Sequence, residues 1–355
     1  MSATFSSAAR RTTIAASAAI TAGLVLSACG SGSSTTITGE GSTAQQKAMT
    51  HFADVLTDND GDVLDYTGSG SGAGVKKFLQ GDVDFAGTDS PLKDDEITQA
   101  KERCGGNDAW HLPMVIGPVA VAYNIPGVEK LNLNATTLAQ IFDSKIAKWN
   151  DPKIAAQNPG VRLPDTAIVP VHRSDSSGTT DNFTKFLKNA APQEWPYEPS
   201  KEWAGKGGSG AAKSTGVGDT VKKTAGSITY VEWGFATENE LGIADIDFGA
   251  GPVALTAESA AGALEGVKFK NPGSKDLVVD TDALYSLSKA GAYPLLLTPY
   301  SVVCSAGYSD DATGPAIKSS FTTILEKGQQ GLGELGFVPL PQTYADTLRS
   351  TIDAL

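Results

Sequence analysis

Residues 63–79 read VLDYTGSGSGAGVKKFL. Val63–Tyr66 has the character of a short strand, and Val75, Phe78 and Leu79 have the spacing of one helix face. Between them, Gly68-Ser69-Gly70-Ser71-Gly72-Ala73-Gly74 supplies glycines for tight turns and hydroxyls for a helix start. A strand, a glycine–hydroxyl turn and a helix in succession form the repeating unit of an α/β layer.

The same unit occurs on both sides of this stretch. Upstream, Gly39-Glu40-Gly41-Ser42-Thr43 joins a strand candidate at Thr35–Thr38 to a helix. That helix carries Met49, Phe52, Ala53 and Leu56 at i, i+3, i+4 and i+7. Downstream, Asp175-Ser176-Ser177-Gly178-Thr179-Thr180 lies between a strand at Ala167–His172 and a helix bearing Phe183, Phe186 and Leu187. Val83–Ala86 reads as a further short strand. Asp94–Arg103 reads as an exposed helix, with Cys104-Gly105-Gly106 as its stop signal.

A helix N-terminus presents unpaired N–H groups and a partial positive charge, so each junction is a candidate anion cradle. Capping alone explains any single junction. Three together, with Arg173 beside the third, point to a site. The Arg173 guanidinium is a planar fork of donors suited to a tetrahedral oxyanion, and Asp175 is placed to orient it; a plain surface arginine is the alternative. Asp89, in Asp84-Phe85-Ala86-Gly87-Thr88-Asp89-Ser90-Pro91, follows a short apolar strand. It reads either as a site carboxylate or as a cap or turn former.

Two runs stand out as apolar: Met114–Tyr123 (MVIGPVAVAY) and Leu295–Cys304 (LLLTPYSVVC), each with an internal proline. Proline is poorly tolerated in a central strand, so each run is expected to bend at its proline. Two segments crossing between lobes and two buried strands with edge prolines both fit this pattern.

With 355 residues the chain has material for about two domains. Apolar residues make up 40% and charged residues 19%, which argues for a packed core rather than disorder. The net charge of −12 argues against a nucleic-acid partner, because no basic surplus exists to displace phosphate counterions. At the N-terminus, Arg10 and Arg11 precede an apolar run from Ile14 to Leu26, too short to span a bilayer and typical of a secretory signal. It ends in Leu26-Ser27-Ala28-Cys29, which resembles the bacterial lipobox, in which the cysteine is lipid-modified and becomes the new N-terminus. Residues 1–28 are accordingly expected to be a lipoprotein signal peptide and 29–34 a flexible tether. The protein is expected at the extracytoplasmic face of the cell membrane. In an exported protein the remaining pair, Cys104 and Cys304, favours a disulfide over two buried free thiols.

Several chemistries lack their motifs. No G-x-x-x-x-G-K-[ST] phosphate loop and no G-x-S-x-G elbow is present. Ser90–Lys93 and Ser286–Lys289 match S-x-x-K without the elements that accompany it in penicillin-recognising enzymes. His51, His111 and His172 have no metal-like spacing. No catalytic residue, metal or cofactor is expected.

Four segments, YTGSGSGAGVKKF (Tyr66–Phe78), DFAGTDSPL (Asp84–Leu92), VHRSDSSGTT (Val171–Thr180) and GSITYVEWGFA (Gly226–Ala236), occur in an order that resembles the phosphate-binding proteins of bacterial phosphate ABC transporters. The resemblance covers the chain from about Thr36 to its end. It implies a two-lobed periplasmic binding protein fold, type II-like, with two crossover segments and the ligand between the lobes. Residues 35–117 and 302–355 would form lobe one and 118–301 lobe two.

It further implies a monomer that captures inorganic phosphate and passes it to membrane permease subunits, without chemistry of its own. Position by position, the donors would be Thr43, the Ala44 N–H, Ser71, Arg173, Ser177, the Gly178 N–H and Thr179. Asp89 would accept the ligand's proton, with Asp175 behind Arg173. The family commonly has Phe-Pro after the first turn, where this chain has Ala44-Gln45; a backbone donor at Ala44 needs no particular side chain. The alternatives are a receptor for another tetrahedral oxyanion and a secreted phosphate-ester hydrolase.

If Cys29 carries lipid, Cys29→Ala protein should leave the membrane fraction and appear in soluble extracytoplasmic fractions. Unchanged membrane retention of the variant would refute the anchor.

Overall fold

The computed structural model describes residues 35–265 and 267–355; the expected signal segment, Cys29 and the tether lie outside them. Thr36–Gly41 lies in a five-stranded sheet whose order is Val63–Gly68, Thr36–Gly41, Phe85–Thr88, Tyr300–Cys304, Ala109–Pro113. The first three strands are mutually parallel and the last two are antiparallel to their neighbours. Parallel neighbours require crossover connections. The helices Gln46–Asp60 and Ser71–Gln80 supply them, burying Met49, Phe52 and Leu56 on one and Val75 and Phe78 on the other. The third strand starts at Phe85 rather than Val83. The Asp84 carboxylate accepts the Thr38 N–H and hydroxyl, both at 2.8 Å, so the chain joins the ladder only after it.

A second sheet runs Gly242–Ile243, Gly117–Asn124, Ser227–Glu232, Val169–Arg173, Ser209–Ala211, and Leu296–Leu297 pairs with the start of Gly117–Asn124. Gly117 to Tyr123 is buried throughout, as expected of a strand covered on both faces. A small sheet, Pro252–Val253, Asp245–Asp247 and Asn132–Asn134, flanks it in sequence.

The two proline-bearing runs behave differently. Leu295–Cys304 divides at Pro299: Leu296–Leu297 pairs in the second sheet and Tyr300–Cys304 in the first. The other run does not bend at its proline. Pro118 lies opposite Leu296 at the start of Gly117–Asn124, where a missing N–H costs little. The change of sheet falls instead between Pro113 and Gly117. The chain thus passes between the sheets twice, at neighbouring places.

Each sheet has its own buried cluster. Trp149, Phe183, Trp195 and Tyr230 belong to the larger one, and Phe52, Phe85, Phe321 and Leu348 to that of the first sheet. Leu277, although it comes from the 118–301 segment, is buried in the first sheet's cluster, where its N–H donates to the His111 carbonyl. Local backbone pairing there outweighs proximity in sequence.

Cys104 follows the helix Asp94–Arg103, and Cys304 ends the strand Tyr300–Cys304. They form a disulfide with a Cα–Cα distance of 5.4 Å, among Val75, Phe78 and Ala100. The bond closes a loop over a separation of 200 residues. In the chain-entropy account this stabilises by at most about 5 kcal/mol. Reduction, or the pair Cys104→Ser and Cys304→Ser, should lower the denaturation midpoint accordingly. Free labelling of both thiols in unreduced, denatured protein would contradict the pairing.

Candidate functional site

The site grows from three helix starts. The Gln46 helix follows Gly41-Ser42-Thr43-Ala44, the Ser71 helix follows Gly70, and the helix Gly178–Ala190 follows its N-cap Ser177. Glycine lets them meet. A Cβ on Gly74 would lie 2.1 Å from the Glu40 carbonyl oxygen, so only glycine lets the Ser71 helix rest on the end of the first strand. A Cβ on Gly178 would lie 2.6 Å from Ser71 Oγ and 2.7 Å from Asp89 Oδ2. The start of the Gly178 helix is therefore pressed against Asp89.

Asp89 is 3% exposed. Ser42 Oγ donates to its Oδ1 at 2.5 Å and Ser71 Oγ to its Oδ2 at 3.1 Å. Burial pushes the carboxyl up to about 7. The Ser42 hydrogen bond opposes that rise, the Glu232 charge adds to it, and Arg173 and Ser71 oppose it.

Arg173 ends the strand Val169–Arg173 and is 4% exposed. Its Nε donates to Asp175 Oδ1 at 2.7 Å and its Nη2 to Asp175 Oδ2, a bidentate pair. Burial disfavours the guanidinium charge, but Asp175, aided by Glu232, outweighs it and holds the group above its ordinary value. Asp175 in turn is held below the ordinary carboxylate value: burial raises it, and the hydrogen bond and charge of Arg173 prevail. Arg173 Nη1 donates to Ser214 Oγ at 3.4 Å, and Ser214 Oγ lies 2.8 Å from Thr43 Oγ1.

At the Gly178 helix start, Ser177 Oγ accepts the Thr180 N–H, which leaves its own proton free to donate. The N–H groups of Gly178 and Thr179 have no acceptor in the hydrogen-bond network of the described residues. Thr179 Oγ1 donates to Glu232 Oε1 at 2.6 Å. Glu232 is 4% exposed, and its Oε2 has no partner among the described residues.

The structure thus brings Thr43, Ala44, Ser71, Asp89, Arg173, Asp175, Ser177, Gly178 and Thr179 to the three helix starts, all of them buried except the half-buried Asp175. Ala44 is bonded differently from expectation: its N–H donates to Ser42 Oγ at 3.0 Å, and its methyl packs in the second sheet's cluster. Contacts between the two sheets' loops close over the site. The Gly72 N–H donates to the Ser176 carbonyl at 3.1 Å, Asn182 Nδ2 to the Asp89 carbonyl at 2.6 Å, and Ser90 Oγ to Asp181 Oδ2 at 2.6 Å.

Ser42, Ser214 and Glu232 were not among the residues expected from the sequence. Ser42 lies in a singled-out turn and Glu232 in a quoted motif, whereas Ser214 has only a helix-start hydroxyl to mark it. The histidines lie elsewhere: His51 against the Gly328 carbonyl, His111 on Asp276, and His172 stacked on Trp203. Chemically, the site is an enclosed set of hydroxyl, guanidinium and N–H donors around a buried carboxylate. These donor types suit a compact oxyanion.

A family model described as "PBP superfamily domain" matches residues 26–318. The chain is 41% identical to "Phosphate-binding protein PstS 3" of Mycobacterium tuberculosis (strain ATCC 25618 / H37Rv), over 94% of this chain and 95% of that protein. It is 42% identical to the protein of that name from Mycobacterium leprae (strain TN), over 91% and 88%. Among solved structures, a high-affinity periplasmic phosphate-binding protein (PfluDING) bound with phosphate superposes with a TM-score of 0.71 at 24% identity, covering 88% of this chain and 93% of that one. A human phosphate binding apolipoprotein superposes at 0.70 with 22% identity over the same shares. These likenesses establish the fold as the two-lobed periplasmic binding type.

The raised Asp89 value has a measurable consequence. Between pH 4 and 7 the ligand-free native state keeps a proton that the unfolded state has lost, so the stability it confers is full below about pH 4 and fades as pH approaches 7. Asp89→Asn lacks this dependence. Its unfolding free energy relative to wild type should rise by on the order of 4 kcal/mol across that window. A flat difference in pH-resolved denaturation would mean that Asp89 stays charged in the native state.

Proposed function

This chain belongs to the PBP superfamily and, within it, to the PstS-type phosphate-binding proteins, and from that premise we propose that it is the extracytoplasmic substrate-binding subunit of an ABC transporter, capturing inorganic phosphate for import. The observation that carries this reading is the closed donor set around Asp89. A fold that only needed stability would fill this space with apolar groups, because buried polar clusters are costly unless satisfied.

In the proposed complex, Thr43, Arg173, Ser177 and the N–H groups of Gly178 and Thr179 donate to phosphate oxygens, with the Gly178 helix start adding its dipole, and Ser71 joins them by turning its single proton from Asp89 Oδ2 to the ligand. Ala44 N–H joins by turning from Ser42 to the ligand. Asp89 accepts the P–O–H proton, and Asp175 fixes the Arg173 fork. The Thr179 hydroxyl gives its proton to Glu232, so its oxygen is free to accept while its backbone N–H donates.

The lobes in this reading are residues 35–117 with 302–355, and 118–301. They close by a hinge motion, and the closed form delivers phosphate to membrane permease subunits. A lipid on Cys29 holds the monomer at the membrane. The two sheets joined by two passages of the chain support a hinge of this kind.

Selectivity follows from proton bookkeeping. Near neutral pH and above, phosphate retains a proton that sulfate lacks. A buried carboxylate accepts from P–O–H but is left unpaired against a bare sulfate oxygen. Sites that require one hydrogen bond reject analogues lacking it by about 10⁴–10⁵. Calorimetric titration at pH 8 should show strong phosphate binding and negligible sulfate binding. Asp89→Asn should gain sulfate binding, and Arg173→Ala should weaken both anions. An Asp89→Asn protein that still rejects sulfate would remove Asp89 as the discriminator. Turnover of a chromogenic phosphate ester would favour a hydrolase instead.

A further inference from the structure

Ser42 has no role in the ligand set above, yet it makes a 2.5 Å hydrogen bond to the proton-testing carboxylate. The direction of that bond follows from the ionised state of Asp89. A hydroxyl has one proton and two lone pairs. The Ala44 N–H already donates to Ser42 Oγ at 3.0 Å, and the Ser42 carbonyl is anchored by the Tyr66 hydroxyl at 2.9 Å. An ionised carboxyl can only accept, so with Asp89 charged the one proton between the two groups is the hydroxyl's own, aimed at Asp89 Oδ1. Ser71 is built the same way: its Oγ lies 3.3 Å from the Asp89 N–H and donates to Oδ2. Both carboxylate oxygens thus receive protons from hydroxyls whose accepting sides face backbone N–H groups.

Such donors favour the ionised carboxyl over the acid. The opposing influences are the burial of Asp89 and the Glu232 carboxylate at the end of Ser227–Glu232. Arg173 favours the ionised form but is already bonded to Asp175. Tyr66, Tyr285 and Tyr300 also face this charge. Burial raises all three phenols, so they remain neutral through the range that matters. His111 lies beyond Tyr300, against its ring.

We propose that Ser42 is a positioning residue that keeps Asp89 in its carboxylate form and thereby sets the pH below which the site stops excluding fully deprotonated oxyanions. The inference rests on the phosphate-receptor reading and adds a specificity determinant to it. Once Asp89 is protonated its O–H becomes a donor, and a bare sulfate oxygen is then accepted as readily as a phosphate oxygen. Removing the Ser42 hydroxyl lets protonation occur at higher pH. A hydrogen bond to a charged group is worth a shift of about one to two pH units.

The test is calorimetric titration of wild type, Ser42→Ala and Ser42→Thr with phosphate and with sulfate, from pH 5 to 9. Infrared absorption of the Asp89 carboxyl is followed in the same proteins, with Asp89→Asn as the blank. In Ser42→Ala, sulfate binding and the protonated-carboxyl band should both appear about one to two pH units higher than in wild type. At pH 8 the variant would admit sulfate that wild type rejects, while still binding phosphate. Ser42→Thr, which restores a hydroxyl, should return both profiles towards wild type. Superimposable sulfate and infrared profiles in wild type and Ser42→Ala, or no sulfate binding by either at any pH, would overturn the role of Ser42 and leave the phosphate reading intact. Wild type that binds no phosphate would instead defeat the underlying reading. If Ser42→Ala fails to fold, the wild-type infrared titration decides: an Asp89 still protonated at pH 9 would mean that its hydroxyl donors do not keep it ionised.

Discussion

A carboxylate withdrawn from water must recover the hydrogen bonds it loses, and the surroundings of Asp89 are arranged to meet that demand. Ser42 and Ser71 donate to its two oxygens, and Arg173 lies near enough to offset part of the burial cost. Glu232 and Asp175 add two more acidic groups, so the side chains of the site carry more negative than positive charge. An anion held here would be bound by directed donors and helix dipoles rather than by net charge, in keeping with an acidic protein of sequence pI about 4.7.

Holding this arrangement requires backbones to approach closely. Gly74 against the first strand and Gly178 against Asp89 leave no room for a Cβ. The loops of the two sheets then bond directly, through Gly72 to Ser176, Ser90 to Asp181 and Asn182 to the Asp89 carbonyl. Asp89 is thus both the centre of the donor set and, through its carbonyl, part of the contact that shuts the site. The disulfide between Cys104 and Cys304 holds the far side of the first sheet, away from this contact.

Much of this was legible in the chain. The helices containing Met49 and Phe78 and the helix Asp94–Arg103 follow from spacing and stop signals, because their core faces repeat within a few residues. The three glycine–hydroxyl turns announced three helix starts. Pairing between distant segments decides what spacing does not. Pro118 is accommodated at a strand start instead of forming a bend, and Leu277 joins the first sheet's core through its bond to His111. Neither outcome has a local signal, since each depends on a partner far along the chain.

The sequence by itself determined the building units and the kinds of group gathered at the site: hydroxyls, glycines, one arginine and one carboxylate in turns that start helices. These depend on residues a few positions apart, and short-range sterics and hydrogen bonding suffice to specify them. Only the tertiary structure decided where each proton goes. Ser42 gives its proton to Asp89 across 47 residues, and Thr179 gives its own to Glu232 across 53. A hydroxyl can turn either way until its neighbours are in place. Its direction is settled by whichever N–H and carboxylate the fold brings within hydrogen-bonding distance, and no pattern in the chain encodes that choice.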